Sequence, residues 1–163
     1  MHYRTKTYIA ADWDNDIDAV EKLKEWNDKG YYLLEFVDVH EYVQARDSSQ
    51  YCSIKQSLSK RMSMCKTFIL IVGNHTKNII KGSCSICDKK LSCQSSHNSD
   101  SRSYIEYECE LAVKSNLKIV VLYNSEKINK DLCPEIVRNI GEHVAMKRQG
   151  VFYYPVVLNV IRN

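Results

Sequence analysis

The run at residues 67–72, TFILIV, shows no alternation of apolar and polar residues before it stops at Gly73–Asn74. A strand with one wet face alternates with period two. One that stays apolar from end to end is covered on both faces, as in the middle of a parallel sheet. Residues 118–123 (KIVVLY) and 31–37 (YYLLEFV) have the same character. Parallel neighbours cannot be joined by tight hairpins. Their crossovers are usually helical, so helices are expected between these runs.

The rest of the chain supplies them. Residues 7–11 (TYIAA) form a short first strand that ends at Asp12. Ile17, Val20, Leu23 and Trp26 then recur at helical spacing, with Asp14 or Asp16 as N-cap and Gly30 as the stop. Residues 38–50 are polar and without period, so they read as a loop. Ile54, Leu58, Arg61 and Met62 predict a second helix over about 52–65. Residues 77–102, rich in Ser, Lys, Asn and Cys, are too long for an ordinary strand-to-helix connection and read as an insertion. Ser103 and Glu106 have capping-box spacing and open a third helix, with Ile105, Cys109, Ala112 and Val113 as its buried stripe and Glu110–Lys114 as an exposed pair. A short helix is expected near 134–139, a weak fifth strand over 141–146, and a closing helix over 156–161 with Pro155 in its first turn. Strands alternating with helices predict one α/β domain spanning 1–163. Its doubly wound, flavodoxin-like parallel sheet should have four or five strands in the order 2-1-3-4-5, interrupted by the Cys-rich insertion before the third helix.

Composition removes several classes of partner. The net charge is only +3 and no Lys/Arg cluster stands out, so nucleic acid is not expected. No apolar run approaches a membrane span, and the first fourteen residues, MHYRTKTYIAADWD, lack the apolar core of a signal peptide. A cytoplasmic location without membrane contact is the expectation. Seven cysteines in a reducing compartment are thiols or metal ligands rather than disulfides.

In open parallel sheets, ligands bind beyond the C-terminal strand ends, at the point where the strand order reverses. The residues expected there are 11–14, 38–41, 73–76 and the start of the third helix. No G-x-G-x-x-G follows the first strand, and neither a G-x-x-x-x-G-K-[ST] loop nor a G-x-S-x-G elbow is present. A receiver-type phosphorylation site is excluded as well, because Gly73 and Asn74 stand where its third strand would end in Asp. What remains is a carboxylate. Glu108 lies one helical turn after Tyr104, at the margin of the apolar stripe, half desolvated and beside an aromatic ring. Glu106 and Glu110 are rivals on the same helix. Glu106 is already explained by the cap, and both project further from the stripe.

The segments TYIAADWD, FVDVHEY, SIKQSLSKRMSMCKTFILIVGNHTK and SYIEYECELAVKSNLKIVVLY, in this order and spacing, resemble the TIR domain. The likeness is greatest to the bacterial TIR-like proteins of Thoeris antiphage defence, and it covers about 6–144. TIR enzymes carry an aromatic residue four positions before the catalytic Glu, which Tyr104 and Glu108 match, although that aromatic is often Trp. The resemblance implies an enzyme that cleaves the nicotinamide–ribose bond of NAD⁺ and forms ADP-ribose, a cyclised form or a conjugate as a signal. It also implies substrate contacts from Ala11, Asp12, Trp13, Asp38, Asn74, His75 and Tyr104, self-association, and a separate effector protein that senses the product. Ribose hydroxyls and helix-start N–H groups would keep Glu108 ionised. Two other functions fit the same features: a non-catalytic TIR interaction module, and an enzyme like the nucleoside 2-deoxyribosyltransferases.

Within the insertion, Cys84, Cys87, Cys93 and His97 have the donor set and short spacing of a tetrahedral zinc site, in a segment with few apolar residues to fold around. The alternative is a loop of reduced, unligated thiols, in keeping with Cys52, Cys65, Cys109 and Cys133 as small apolar residues. If these four residues hold structural zinc, metal analysis of protein purified without chelator is expected to find about one zinc per chain. A stable protein carrying almost none would exclude the site.

Overall fold

The computed structural model describes residues 4–30, 36–37, 51–86 and 100–163. Its five-stranded sheet has the order β2-β1-β3-β4-β5, built from β1 (Lys6–Ala10), β2 (Phe36–Val37), β3 (Cys65–Val72), β4 (Lys118–Tyr123) and β5 (Glu142–Ala145). All four pairings are parallel. Helices α1 (Ile17–Asp28), α2 (Tyr51–Met62), α3 (Tyr104–Lys114) and α4 (Tyr154–Arg162) flank it. This is the expected flavodoxin-like α/β sheet. Of the strand expected over 31–37, only Phe36 and Val37 lie among the described residues. The polar stretch 38–50 falls outside them.

Both faces of the sheet are covered, which explains the unbroken apolar runs. On one face Tyr8, Phe68, Leu70, Val72, Val121 and Tyr123 pack against Ile54, Leu58 and Met62 of α2 and Ile105, Cys109 and Ala112 of α3. On the other, Ile9, Ile69, Ile71, Val120 and Leu122 meet Val20, Leu23 and Trp26 of α1 and Val157, Val160 and Ile161 of α4. Each large side chain buried this way contributes about 1.5–3 kcal/mol relative to exposure.

Several boundaries moved for local reasons. The second helix ends at Met62, three residues early, because Cys65 already pairs with Lys6 in the sheet. The short helix near 134–139 is a 3₁₀ turn, Glu135–Val137, preceded by another at Lys130–Leu132. Unanticipated is the antiparallel ribbon of β6 (Lys147–Arg148) and β7 (Val151–Phe152). Gln149 and Gly150 turn it with φ of 50° and 77°, the left-handed pair a two-residue hairpin needs.

Asp16 precedes α1 as expected, but its side chain does not cap the helix. Its carboxyl, only 4% exposed, instead accepts a hydrogen bond at 2.9 Å from Asn124 Nδ2, just past β4. The same amide donates to Asp18 at 2.9 Å, and Asn124 N–H donates to Val72 O at 2.8 Å. The first helix is thus tied to the ends of β3 and β4. Gly73 makes the knot feasible: a Cβ there would lie 2.1 Å from Asp16 Oδ1. Gly73→Ala is expected to lower the unfolding free energy by about 2 kcal/mol, the scale of an overpacked interior, read as a lower urea midpoint. An unchanged midpoint would contradict this packing.

Candidate active site

A cleft of about 360 Å³ opens beyond the C-terminal ends of β1 and β3, where the strand order reverses. That is within the range of small-molecule sites, at its lower end. Its walls come from three places. The loop after β1 supplies Ala11, Asp12, Trp13, Asp14 and Asn15; the segment after β3 supplies His75, Asn78, Ile79, Ile80 and Lys81; and α3 supplies Tyr104, Ile105 and Glu108.

Of the residues expected at a substrate site, the cleft brings together Ala11, Asp12, Trp13, His75, Tyr104 and Glu108. Asn74 is exposed and stands outside the lining, because the chain turns immediately after Gly73. Asp38 lies outside the described residues, as do Cys87, Cys93 and His97. Cys84, which is described, is a half-buried free thiol. Among the described residues no group of three or more His, Cys, Asp or Glu side chains could hold a metal ion.

Asp12 organises its own loop. Its carboxylate accepts from Asn15 Nδ2 at 2.6 Å and Asp14 N–H at 3.2 Å, while its carbonyl accepts from the N–H groups of Asn15 and Asp16. This Asx-type turn holds the strand-to-helix loop against the cleft. Beside it, the Trp13 ring carries Lys24 Nζ at 5.4 Å from its centroid.

The start of α3 is fixed from several sides. The capping box forms as predicted, with Ser103 N–H donating to Glu106 at 2.8 Å and Glu106 N–H to Ser103 Oγ at 3.2 Å. Tyr104 N–H donates to Lys81 O at 2.9 Å. Just upstream, the buried Lys55 of α2 donates to Arg102 O at 2.6 Å and pairs with Asp100 at 3.1 Å. Arg102 in turn bonds Asp100 and Glu110, and Glu110 also pairs with Lys114 at 2.7 Å. Burial pushes the Asp100 carboxyl up, yet the hydrogen bonds from Arg102 and Lys55 outweigh it and hold the group at about 2.

Glu108 is far more enclosed than its place at the margin of the stripe implies. It is 5% exposed, and Tyr104 above it is 6% exposed. The Tyr104 ring meets that of Tyr51 edge-on at 5.6 Å. On its other side lies Gly82, with φ of +96°, where a Cβ would come within 2.6 Å of the ring. Burial is the main influence on the Glu108 carboxyl and pushes it up to about 8; the Tyr8 hydroxyl works the other way. Three of the helix-start N–H groups expected to stabilise the carboxylate are committed elsewhere. Tyr104 N–H goes to Lys81 O, Glu106 N–H to Ser103 Oγ and Tyr107 N–H to Ser103 O.

Tyr8, Ile79, Ile80, Lys81 and Gly82 were not anticipated at the site. Tyr8 had a visible signal, a phenol hydroxyl inside a buried strand, but Thr7 beside it carries a hydroxyl too. The others belong to the insertion, whose path no periodicity discloses.

Comparison with known families bears on this arrangement. Residues 8–80 match the family model described as the Thoeris protein ThsB, TIR-like domain. That span is a little under half of the chain and runs from β1 through the segment after β3, including both loops that face α3 across the cleft. The TIR-like resemblance read from the residues therefore has an independent counterpart. The match stops before α3, so Glu108 and Tyr104 stand on the geometry of the cleft. No curated protein matches the chain. Among the described residues, no helix is long and apolar enough to cross a membrane.

The enclosure of Glu108 has a thermodynamic consequence. A carboxyl whose pKa rises from 4.5 to about 8 on folding keeps its proton after the unfolded chain has lost its own. Stability then falls as pH rises through that window. Glu108→Gln is expected to match the wild type near pH 4 and to exceed it by about 4 kcal/mol at pH 8. Thermal unfolding at the two pH values checks this, and equal shifts at both would contradict it.

Proposed function

We propose that this chain is a TIR-type enzyme of antiphage defence that cleaves the nicotinamide–ribose bond of NAD⁺ and produces an ADP-ribose-derived signal. The observation that carries the reading is the Glu108 carboxyl, enclosed at the floor of an aromatic- and isoleucine-lined cleft at the strand ends. The family match over 8–80 supports the defence role.

The chemistry needs little more than such a carboxylate. Nicotinamide leaves NAD⁺ as a neutral ring, its nitrogen taking the electron pair of the C–N bond, so no acid is required. Positive charge develops on the ribose as an oxocarbenium ion. A carboxylate fixed in a poorly solvated cleft stabilises that charge more strongly than one in water. Water, a hydroxyl of the same molecule or a second acceptor then closes the ribose carbon. In the empty cleft Glu108 is mostly protonated at neutral pH. The cationic nicotinamide ring favours its ionisation, so substrate binding charges the group that the reaction uses. Trp13 and Tyr104 offer aromatic faces to that ring, and His75 and Lys81 offer cationic or donor groups to the phosphates. A single TIR-like domain that self-associates, and a separate effector protein that senses the product, complete the proposal.

Nicotinamide release from NAD⁺, with mass spectrometry of the product formed in infected cells, tests it. Under conditions where the wild type turns over, Glu108→Gln is expected to lose at least about a hundredfold in rate. Glu110→Gln, whose carboxylate serves Lys114 and Arg102, stays close to wild type. Rates at limiting substrate should rise with a midpoint near pH 8, as the Glu108 proton is lost. Wild-type rates in Glu108→Gln would overturn the assignment. An interaction module without catalysis would release no nicotinamide under infection, and a 2-deoxyribosyltransferase-like enzyme would exchange bases on deoxynucleosides instead.

A further inference from the structure

We propose that Tyr8 is a positioning residue for Glu108, its hydroxyl being the donor that receives the carboxylate when the cleft fills. This rests on the reading of Glu108 as the reacting group. Side chains along β1 alternate between the two faces: Ile9 packs toward α1 and α4, whereas Tyr8 packs under α3. The Tyr8 ring is wholly buried and stacks on Phe68 at 5.8 Å with 25° between the planes, so it cannot swing away. Its hydroxyl is buried and lies within interaction range of the Glu108 carboxyl.

That hydroxyl makes no well-formed hydrogen bond, although it lies close enough to Glu108 to favour the charged form. A buried phenol O–H without a partner is unfavourable, and native interiors rarely keep one idle. A protonated Glu108 makes only a weak acceptor for it. An ionised Glu108 makes a strong one, and a small rotation of the carboxylate aligns the pair. Tyr8 itself does not exchange the proton, because burial, then the Glu108 charge, holds its own ionisation well above the ordinary range.

The other titratable groups nearby are placed differently. Cys65 and Arg61 act on Tyr8 from the start of β3 and from α2, Cys109 neighbours Glu108 on α3, and Asp12, Asp14, His75 and Lys81 line the cleft around it. Among these side chains, Tyr8 is the one that favours the charged form of Glu108.

The test is Tyr8→Phe, which keeps the ring and its stack on Phe68 and removes only the hydroxyl. The Glu108 carboxyl is titrated by NMR on the full chain labelled with ¹³C in its glutamate carboxyl groups, Glu108→Gln identifying the resonance. The titration is expected to move upward by roughly one pH unit in Tyr8→Phe. A merely structural role would leave it in place; an unchanged or lower titration overturns the proposal. Nicotinamide release separates this from the function proposed above. A titration that moves in a protein releasing no nicotinamide keeps the Tyr8 role and removes the NAD⁺ reading. An unmoved titration alongside active cleavage does the reverse.

Discussion

Burial of β3 and β4 on both faces is the constraint from which the rest of this structure follows. With apolar side chains filling both sides of the sheet, neither strand has a wet face on which to display chemistry. Polar function is pushed to the strand ends, where the backbone leaves the core and loops begin. At the C-terminal ends the strand order reverses between β1 and β3, and the two loops diverge. The cleft is that divergence, closed on one side by α3.

Glu108 goes against this segregation. It is a carboxyl held in the same layer that contains Tyr8, Phe68 and Cys109, and its raised pKa measures how poorly that layer solvates charge. A group so costly to ionise must be placed by strong, redundant contacts around it. The capping box, the Tyr104–Lys81 hydrogen bond and the cluster of Lys55, Asp100, Arg102 and Glu110 provide them at the first turn of the helix. These contacts lie within two turns of the Glu108 carboxyl.

Elements whose signals are local were legible in the sequence. The apolar runs specified β3 and β4, the S-x-x-E spacing specified the start of α3, and the alternation of strands and helices specified the sheet order. Glu108 and Tyr104 could be expected at the cleft because helical geometry placed them one turn apart beside a crevice that topology predicts, and because their spacing matches the one that the TIR resemblance implies. Periodicity failed where position depends on a distant partner. Asp16 reads as a helix cap, yet Asn124, more than a hundred residues away, takes its carboxyl. The helix-start donors of Tyr104, Glu106 and Tyr107 looked available to Glu108, but the cap and Lys81 claim them. Asn74 looked like a cleft residue, but a turn immediately after Gly73 carries it outward. Tyr8 could be seen to carry a hydroxyl in a buried strand; its neighbour could not be named without the fold.

The two feet of the insertion are pinned together. Tyr104 N–H meets Lys81 O, and Cys84 N–H meets Asp100 O, each at 2.9 Å. The chain that leaves after Cys84 must therefore return to the same spot, whatever its length. Closing a longer loop between fixed ends adds only about 0.6 kcal/mol per doubling. The segment between those feet can thus be shortened, extended or exchanged while Tyr104 and Glu108 keep their places. Ile79, Ile80 and Lys81, on the cleft side of the pins, are held by the same closure against Tyr104 and Glu108 in the cleft wall.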